Sequence, residues 1–182
     1  MGAQSYVVFR FLQMISIVFV IMSNSFSSVI DSPIGNISIC ASEIGVTSIQ
    51  IDRRFESSEN EWSKAGATQL TEYFNGDRKK FDLEYDFTGG TDFRISVWKE
   101  LLKIPFGSTC SYMDIAQALN NPGSIRAVGS ANGANPLGII IPCHRVIGSD
   151  GSLTGYANGL EMKRWLLEFE GAIRPKLQMT LF

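Results

Sequence analysis

The sequence predicts an α+β chain: a small strand-rich first half carrying one helix, then a mostly helical second half containing a helix-turn-helix. Three observations predict it. Residues 36–51 alternate apolar and polar side chains on either side of Glu43-Ile44-Gly45, the period-two signature of a hairpin. From Phe93 onward, apolar residues recur at three- and four-residue steps, the period of helices with one buried face. Thr88-Gly89-Gly90 separates the two patterns as a natural linker.

The elements follow in order. Asp31-Ser32-Pro33-Ile34-Gly35 reads as a turn, Asn36 to Ala41 as a strand and Val46 to Ile51 as its hairpin partner. Ala67, Leu70 and Phe74 place a helix over Asn60 to Asn75, stopped by Gly76. Phe81, Leu83, Tyr85 and Phe87 alternate, so another strand is expected there. Phe93, Val97, Trp98 and Leu101 form a helical stripe ended by Pro105 and Gly107. Ser111 reads as an N-cap with Asp114 three residues on. Tyr112, Ile115, Ala116 and Leu119 give the buried face of that helix. After the Asn120-Asn121-Pro122-Gly123 connection, Ala127, Val128, Gly129 and Ala131 belong to a second, small-residue helix, which completes the helix-turn-helix. Ile139 to Ile141 reads as a short strand closed by Pro142, and Met162, Trp165, Leu166 and Phe169 mark a last amphipathic helix before Gly171. Trp62, Trp98 and Trp165 are expected in the core.

Composition narrows the class. With 45% hydrophobic and 19% charged residues, the 182-residue chain is of ordinary globular type and not a disordered one. Three widely spaced cysteines, Cys40, Cys110 and Cys143, argue for reduced thiols and against a disulfide framework. Three scattered cysteines and a single histidine leave too few clustered ligands for structural zinc, so no metal is expected. Net charge is −2, but it is unevenly spread. Residues 24–91 hold 6 Lys+Arg against 11 Asp+Glu, and residues 92–182 hold 9 against 7, so the second half is mildly basic. Phosphate contacts there would be few, and the salt dependence of any DNA binding shallow. Phe11 to Met22 is almost wholly apolar, between Arg10 and a Ser-rich stretch, as in a secretory leader. A leader does not suit a protein whose cysteines read as reduced thiols. The preferred reading is a mis-assigned start, with Met22 as initiator; a targeting or tethering segment and an added helix are the alternatives.

The most chemical stretch is Ile141-Pro142-Cys143-His144-Arg145-Val146. It sets one thiol beside the only histidine and a cation, and such neighbours raise the thiolate fraction of a cysteine whose free pKa is about 8.5. Adjacent residues on a strand point to opposite faces, so Cys143 and His144 cooperate only if the chain coils after Pro142 or a water bridges them. Arg145 reads equally as a structural partner of a carboxylate or as part of the site wall. Arg126 stands among small residues on the second helix of the helix-turn-helix, which allows close approach to a groove while the arginine reaches a phosphate or the base stack.

This ordered set resembles the O6-alkylguanine-DNA alkyltransferases (methylated-DNA–protein-cysteine methyltransferases) from about Ile30 to Gly171. The likeness rests on Asp31 to Gly35, on Val97-Trp98 with Ile104-Pro105 and Gly107, on Ser111-Tyr112 and on Arg126-Ala127-Val128-Gly129. It continues through Asn135-Pro136, the Cys143 segment and Gly155-Tyr156-Ala157 with Gly159-Leu160, and ends with Lys163, Trp165-Leu166-Leu167 and Glu170-Gly171. The resemblance implies a ribonuclease-H-like N-terminal domain and a winged-helix-like C-terminal domain. It implies that Cys143 accepts the alkyl group from O6 of guanine, that His144 deprotonates Cys143 through a water, and that Glu170 orients His144. It gives Asn135 the bracing of the turn, Tyr112 a donor role toward the guanine, and Arg126 the space of the flipped base, with Ala127 and Gly129 on the DNA-facing helix. Val146, Tyr156, Ala157 and Asn158 would line the pocket. Asn158 stands where relatives often carry Gly, which is expected to disfavour bulky alkyl groups. Arg145, by contrast, is left undecided.

The expected organisation is an apolar extension over residues 1–29, a scaffold domain over 30–90, a DNA-binding and alkyl-acceptor domain over 91–175, and a tail over 176–182. The expected partner is double-stranded DNA carrying O6-alkylguanine, and O4-alkylthymine is a further candidate; the DNA is entered from the minor groove with the base flipped out. No cofactor and no protein partner are implied, a monomer is expected, and the compartment is cytoplasmic, or nuclear in a eukaryote. A thioether is a dead end, so one turnover per molecule is expected. Two competing readings are a non-catalytic lesion-binding or regulatory protein of the same fold, and a cysteine hydrolase. The first would be expected to lack Cys143; the second needs an oxyanion hole and multiple turnover.

Overall fold

The computed structural model describes residues 26–55 and 58–175. The apolar segment over 11–22 and the tail over 176–182 lie outside the described residues. The chain forms two compact units: one holds the described residues up to Thr71 together with Leu83–Asp86, the other Glu72–Asp82 and the described residues from Phe87 on.

The first unit is built on a three-stranded antiparallel sheet, β1 (Phe26–Ser32), β2 (Gly35–Ala41) and β3 (Val46–Ile51), in the order β1-β2-β3. The register sets Ile30, Ile37 and Ile51 in one row and Ser28, Ile39 and Ile49 in the next. Ile37, Ile39, Ala41, Val46 and Ile49 are buried. Each isoleucine removed from water contributes roughly 1.5–3 kcal/mol. Helix α1 (Glu61–Phe74) covers this face. Its entry is fixed by Asn60: Asn60 Oδ1 accepts from the Ser63 amide at 2.9 Å, and Ser63 Oγ accepts from the Asn60 amide at 3.2 Å. Gly66 lets the helix approach the sheet, because a Cβ there would lie 2.7 Å from Ile39 Cγ2.

Three sequence expectations change in this unit. Regular structure begins at Phe26, not Ile30: Ser27 and Ser28 are buried strand residues, and Ser28 Oγ shares a 3.0 Å hydrogen bond with Ser63 Oγ. The Phe81–Phe87 strand is an extended segment with a single parallel bridge, Tyr85 to Val46. Val46 brackets that bridge, its N–H donating to the Glu84 carbonyl and its carbonyl accepting from the Asp86 N–H, both at 2.9 Å. Trp62 is half-buried instead of core, with Nε1 donating to the Glu43 carbonyl at 3.2 Å.

The second unit contains α2 (Asp92–Leu101), α3 (Tyr112–Ala118), α4 (Ile125–Gly133) and α5 (Leu160–Phe169), with a two-stranded parallel pairing of β4 (Cys110–Ser111) and β5 (Val146–Ile147). Thr91 caps α2, whose Val97, Trp98 and Leu101 are buried; Trp98 Nε1 donates to the Ala131 carbonyl at 2.9 Å and so ties α2 to α4. The Ser111–Asp114 capping box opens α3 as the sequence indicates. A 3-10 turn at Pro122–Ser124 leads into α4, completing the helix-turn-helix. The expected strand over Ile139–Ile141 is instead a chain of turns. Ile141 N donates to the Leu137 carbonyl at 2.8 Å, and Ile139 takes φ 71°, a left-handed conformation rare for a β-branched residue. The run is apolar because it is buried on all sides, which mimics a core strand in the sequence.

Candidate active site

Pro142 ends the turns, and Cys143–Arg145 form one turn of 3-10 helix before β5. The chain thus coils at the point where cooperation of Cys143 with His144 requires it. Asn135 fixes this segment from both ends of its amide: Nδ2 donates to the Ile141 carbonyl at 2.8 Å and Oδ1 accepts from the Leu137 amide at 3.0 Å. Asn132, on the buried side of α4, donates to the Cys143 carbonyl at 3.4 Å.

Cys143, His144, Arg145 and Glu170 are all buried. Glu170, the C-cap of α5, is the hub. His144 Nε2 lies 2.9 Å from Glu170 Oε1, Arg145 donates Nε to Oε2 at 2.8 Å and Nη2 to Oε1 at 2.9 Å, and the Tyr73 hydroxyl donates to Oε1 at 2.8 Å. The Gly107 amide adds a long contact to Oε2 at 3.4 Å. Burial alone would raise the carboxyl pKa, but the hydrogen bonds and charges of His144 and Arg145 outweigh it and hold Glu170 down at about 2. An ionised carboxylate only accepts, so His144 carries its proton on Nε2. Nδ1 is then the basic nitrogen, buried and without a hydrogen-bond partner among the described residues. Burial pushes the His144 pKa below its ordinary value, so the imidazole rests neutral.

The thiol differs from the sequence expectation. Burial pushes the Cys143 pKa up, against the opposing pull of the Asn135 amide and the Lys163 charge. Arg145 is committed to Glu170 and to the Ile104 carbonyl at 2.6 Å, which resolves its two readings in favour of the carboxylate partner. Cys143 therefore rests as a thiol and needs a base, and a neutral imidazole sits next to it in the chain.

Lys163, fully buried on α5, donates to the carbonyls of Val146 at 2.6 Å, Thr154 at 2.7 Å and Gly155 at 3.4 Å. It anchors the loop after β5 to that strand, and burial lowers its pKa to about 8. The side chain of Val146 is buried in β5. Tyr156 is half-buried with its hydroxyl enclosed, while Ala157 and Asn158 are exposed on the loop. Tyr112, in the first turn of α3, touches both the loop after β5 and α4. Its hydroxyl donates to the Thr154 carbonyl at 3.2 Å, and a Cβ at Gly129 would lie 3.9 Å from its ring. Arg126 and Ala127 are exposed on α4, opposite its buried Val128, Ala131 and Asn132. An open depression of about 480 Å³ beside β4, lined by residues such as Thr109, Cys110, Ile147 and Ser149, contains none of the expected site residues.

The decisive comparison is with family models. The chain matches the 6-O-methylguanine DNA methyltransferase ribonuclease-like domain over residues 26–87 and the DNA-binding domain of the same family over 92–172. The chain belongs to the 6-O-methylguanine DNA methyltransferase family. A methylated-DNA–protein-cysteine methyltransferase of Mycobacterium tuberculosis is 46% identical over 160 residues, which covers 84% of this chain and 96% of that one. One from Methanosarcina barkeri is 45% identical over 150 residues, 78% and 94% of the two chains. The crystal structure of Mycobacterium tuberculosis OGT in complex with DNA superposes with a TM-score of 0.73 at 43% identity, over 81% of this chain and 93% of that one.

Two further buried polar groups at the site, Tyr73 and Asn132, carry no motif in the sequence. Tyr73 was hidden because Leu70 and Phe74 already satisfied the helical stripe. Asn132 sits among the small residues of α4 with no charge to draw notice. Their only sequence signal is polarity at positions that the helical period turns inward.

Proposed function

We propose that Cys143 is the alkyl acceptor and that the Cys143–His144–Glu170 series activates it. The chain repairs DNA by stoichiometric, irreversible transfer of the alkyl group of O6-alkylguanine to one of its own cysteines. The observation that carries the residue assignment is the His144–Glu170 contact of 2.9 Å, which leaves a buried, basic Nδ1 on the residue that follows the buried thiol in the chain. His144 Nδ1 takes the thiol proton through a water, and Glu170 holds the resulting imidazolium. The sulfur then attacks the alkyl carbon in line: the S–C bond forms, the C–O6 bond breaks, and its electron pair leaves with the guanine. Tyr112 donates to the departing base as negative charge grows on it, and the base regains a proton from the site. Asn135 holds the turn that aims the sulfur.

The lesion must leave the stack to meet a buried thiol, at a cost of a few kcal/mol. Duplex DNA is entered through its minor groove by α4, with Ala127 and Gly129 permitting close approach and Arg126 filling the space of the flipped base. Tyr156, Ala157 and Asn158 line the pocket with Val146 behind them, and loop amides approach O6. The scaffold role falls to residues 30–90 and the DNA-binding and acceptor role to 91–175. The chain acts as a monomer without a cofactor. Among the described residues no helix is long and apolar enough to cross a membrane. A reduced thiol acting on DNA suits the cytoplasm, or the nucleus of a eukaryote.

Cys143→Ala tests the assignment. The variant is expected to bind a duplex carrying O6-methylguanine with the affinity of the parent and to accept no alkyl group. Transfer by the variant, or more than one alkyl group per parent molecule, contradicts it.

A further inference from the structure

We propose that the Tyr73 hydroxyl is a positioning group of the alkyl-transfer site, which by hydrogen-bonding to Glu170 limits how strongly that carboxylate draws a proton onto His144. The proposal rests on the role given above to His144.

The geometry is specific. Tyr73 lies in the last turn of α1, far from the Cys143 segment in sequence, and is fully buried. Its ring is enclosed by Phe74, Phe81, Phe106 and Phe169, at centroid distances of 5.2 to 6.1 Å. Such a cluster would be satisfied by phenylalanine. The hydroxyl has one function here: it reaches Glu170 Oε1 at 2.8 Å, the same oxygen that holds His144 at 2.9 Å. Arg145 Nη2 also reaches that oxygen, at 2.9 Å. Three donors therefore compete for one carboxylate oxygen, beyond the two lone pairs it offers in its plane.

Competition of this kind has a direction. Each donor lowers the proton affinity of a carboxylate and hence its pull on any other donor. A Glu170 relieved of the tyrosine would favour the imidazolium form of His144 more strongly. His144 would then be protonated at higher pH, and an imidazolium cannot take the proton of Cys143. The charged and titratable groups that act on His144 are Glu170 and Lys163 from the α5 side and Arg145 beside it in the chain. Glu170 in turn faces His144, Arg145 and Tyr73, and the Tyr156 hydroxyl feels both the Glu170 charge and the Cys143 thiol. Tyr73→Phe changes none of these except the single hydrogen bond, and it keeps the ring.

The test uses a feature of the sequence: His144 is the one histidine in the chain. In untagged protein its imidazole carbon resonance can be followed by NMR without ambiguity. For Tyr73→Phe, the midpoint of His144 protonation is expected to rise relative to the parent by about one pH unit, the order of one lost hydrogen bond to a charged group. The acid limb of the alkyl-transfer rate, read with an O6-methylguanine duplex, should rise with it. Phe74→Leu, which disturbs the same ring cluster but no hydrogen bond, should lower the melting temperature and leave the midpoint in place. An unmoved or lowered midpoint in Tyr73→Phe overturns the proposal, as does an equal rise in Phe74→Leu. Failure of the parent to accept an alkyl group would instead overturn the functional reading, and the NMR midpoint would still decide the role of Tyr73.

Discussion

Arg145 and Glu170 form a buried two-point pair, with Nε and Nη2 of the guanidinium 2.8 and 2.9 Å from the two carboxylate oxygens. The cation two residues after Cys143 in sequence is thus engaged by a carboxylate and by the Ile104 carbonyl. With Arg145 and His144 both held on Glu170 and burial raising the Cys143 pKa, the resting site carries a thiol and a neutral imidazole in place of a standing thiolate. Buried at 5% exposure, the Cys143 thiol is poorly placed to react with bulk oxidants or metals.

The pair fixes the acid sensitivity of the fold. Glu170 is held at about 2, below its ordinary 4.5, so its stabilisation is complete above pH 4.5 and lost as pH falls toward 2. His144 is depressed below its ordinary 6.5, so the unfolded chain takes up a proton there that the folded chain refuses, and stability also falls as pH drops below about 6.5. Both shifts act in the same direction. Stability from urea unfolding is expected to decline as pH falls below 6.5 and to steepen below 4.5. Glu170→Gln should remove the steep lower part and cost about 3–5 kcal/mol at pH 7, because it leaves Arg145 buried without its counter-charge. A change under about 1 kcal/mol would show that the pair does not hold the site together.

Lys163 makes the loop that carries Tyr156 depend on α5. Lys163→Met removes the donor to Val146, Thr154 and Gly155 while keeping most of the aliphatic stem. Hydrogen exchange should quicken across residues 148–159, and alkyl transfer should slow by about tenfold or more, the effect of roughly 1.4 kcal/mol lost at the reacting geometry. Unchanged exchange in that loop would refute the anchoring role.

Arg126 is exposed and α4 buries its opposite face, so Arg126→Ala should leave stability within about 0.5 kcal/mol of the parent. Its effect should fall on duplex substrate. Transfer from double-stranded O6-methylguanine DNA is expected to drop by about tenfold or more, and transfer from the single-stranded oligonucleotide much less, since no partner base leaves a gap there. Equal losses on both substrates would assign Arg126 to phosphate contact alone, with a salt slope shallower by about one.

Much of this fold is legible in the sequence where local chemistry and tertiary packing agree. The β2–β3 hairpin alternates around its turn, and Ser111 and Asp114 sit at capping-box spacing, so both could be placed without the structure. The Cys143 segment and its partners Asn135 and Glu170 were legible through the family likeness. What escaped was set by distant contacts. Ser27 and Ser28 read as a polar stretch because their partners, Phe55 and Ser63, lie far along the chain. Ile139–Ile141 read as a strand because burial on all sides leaves no period, whereas its turns are held by local backbone bonds and by the two-ended grip of Asn135 on Leu137 and Ile141. Tyr73 escaped for the same reason: what distinguishes it from phenylalanine is one hydrogen bond to a residue near the other end of the chain.

The most direct test of the central claim is intact-mass spectrometry of the purified protein before and after incubation with a duplex carrying O6-methylguanine. One methylene-sized gain, saturating at one per molecule and mapping to the peptide that contains Cys143, is the result expected. No gain while the lesion duplex is still bound, or a gain that maps to Cys40 or Cys110, would contradict the account.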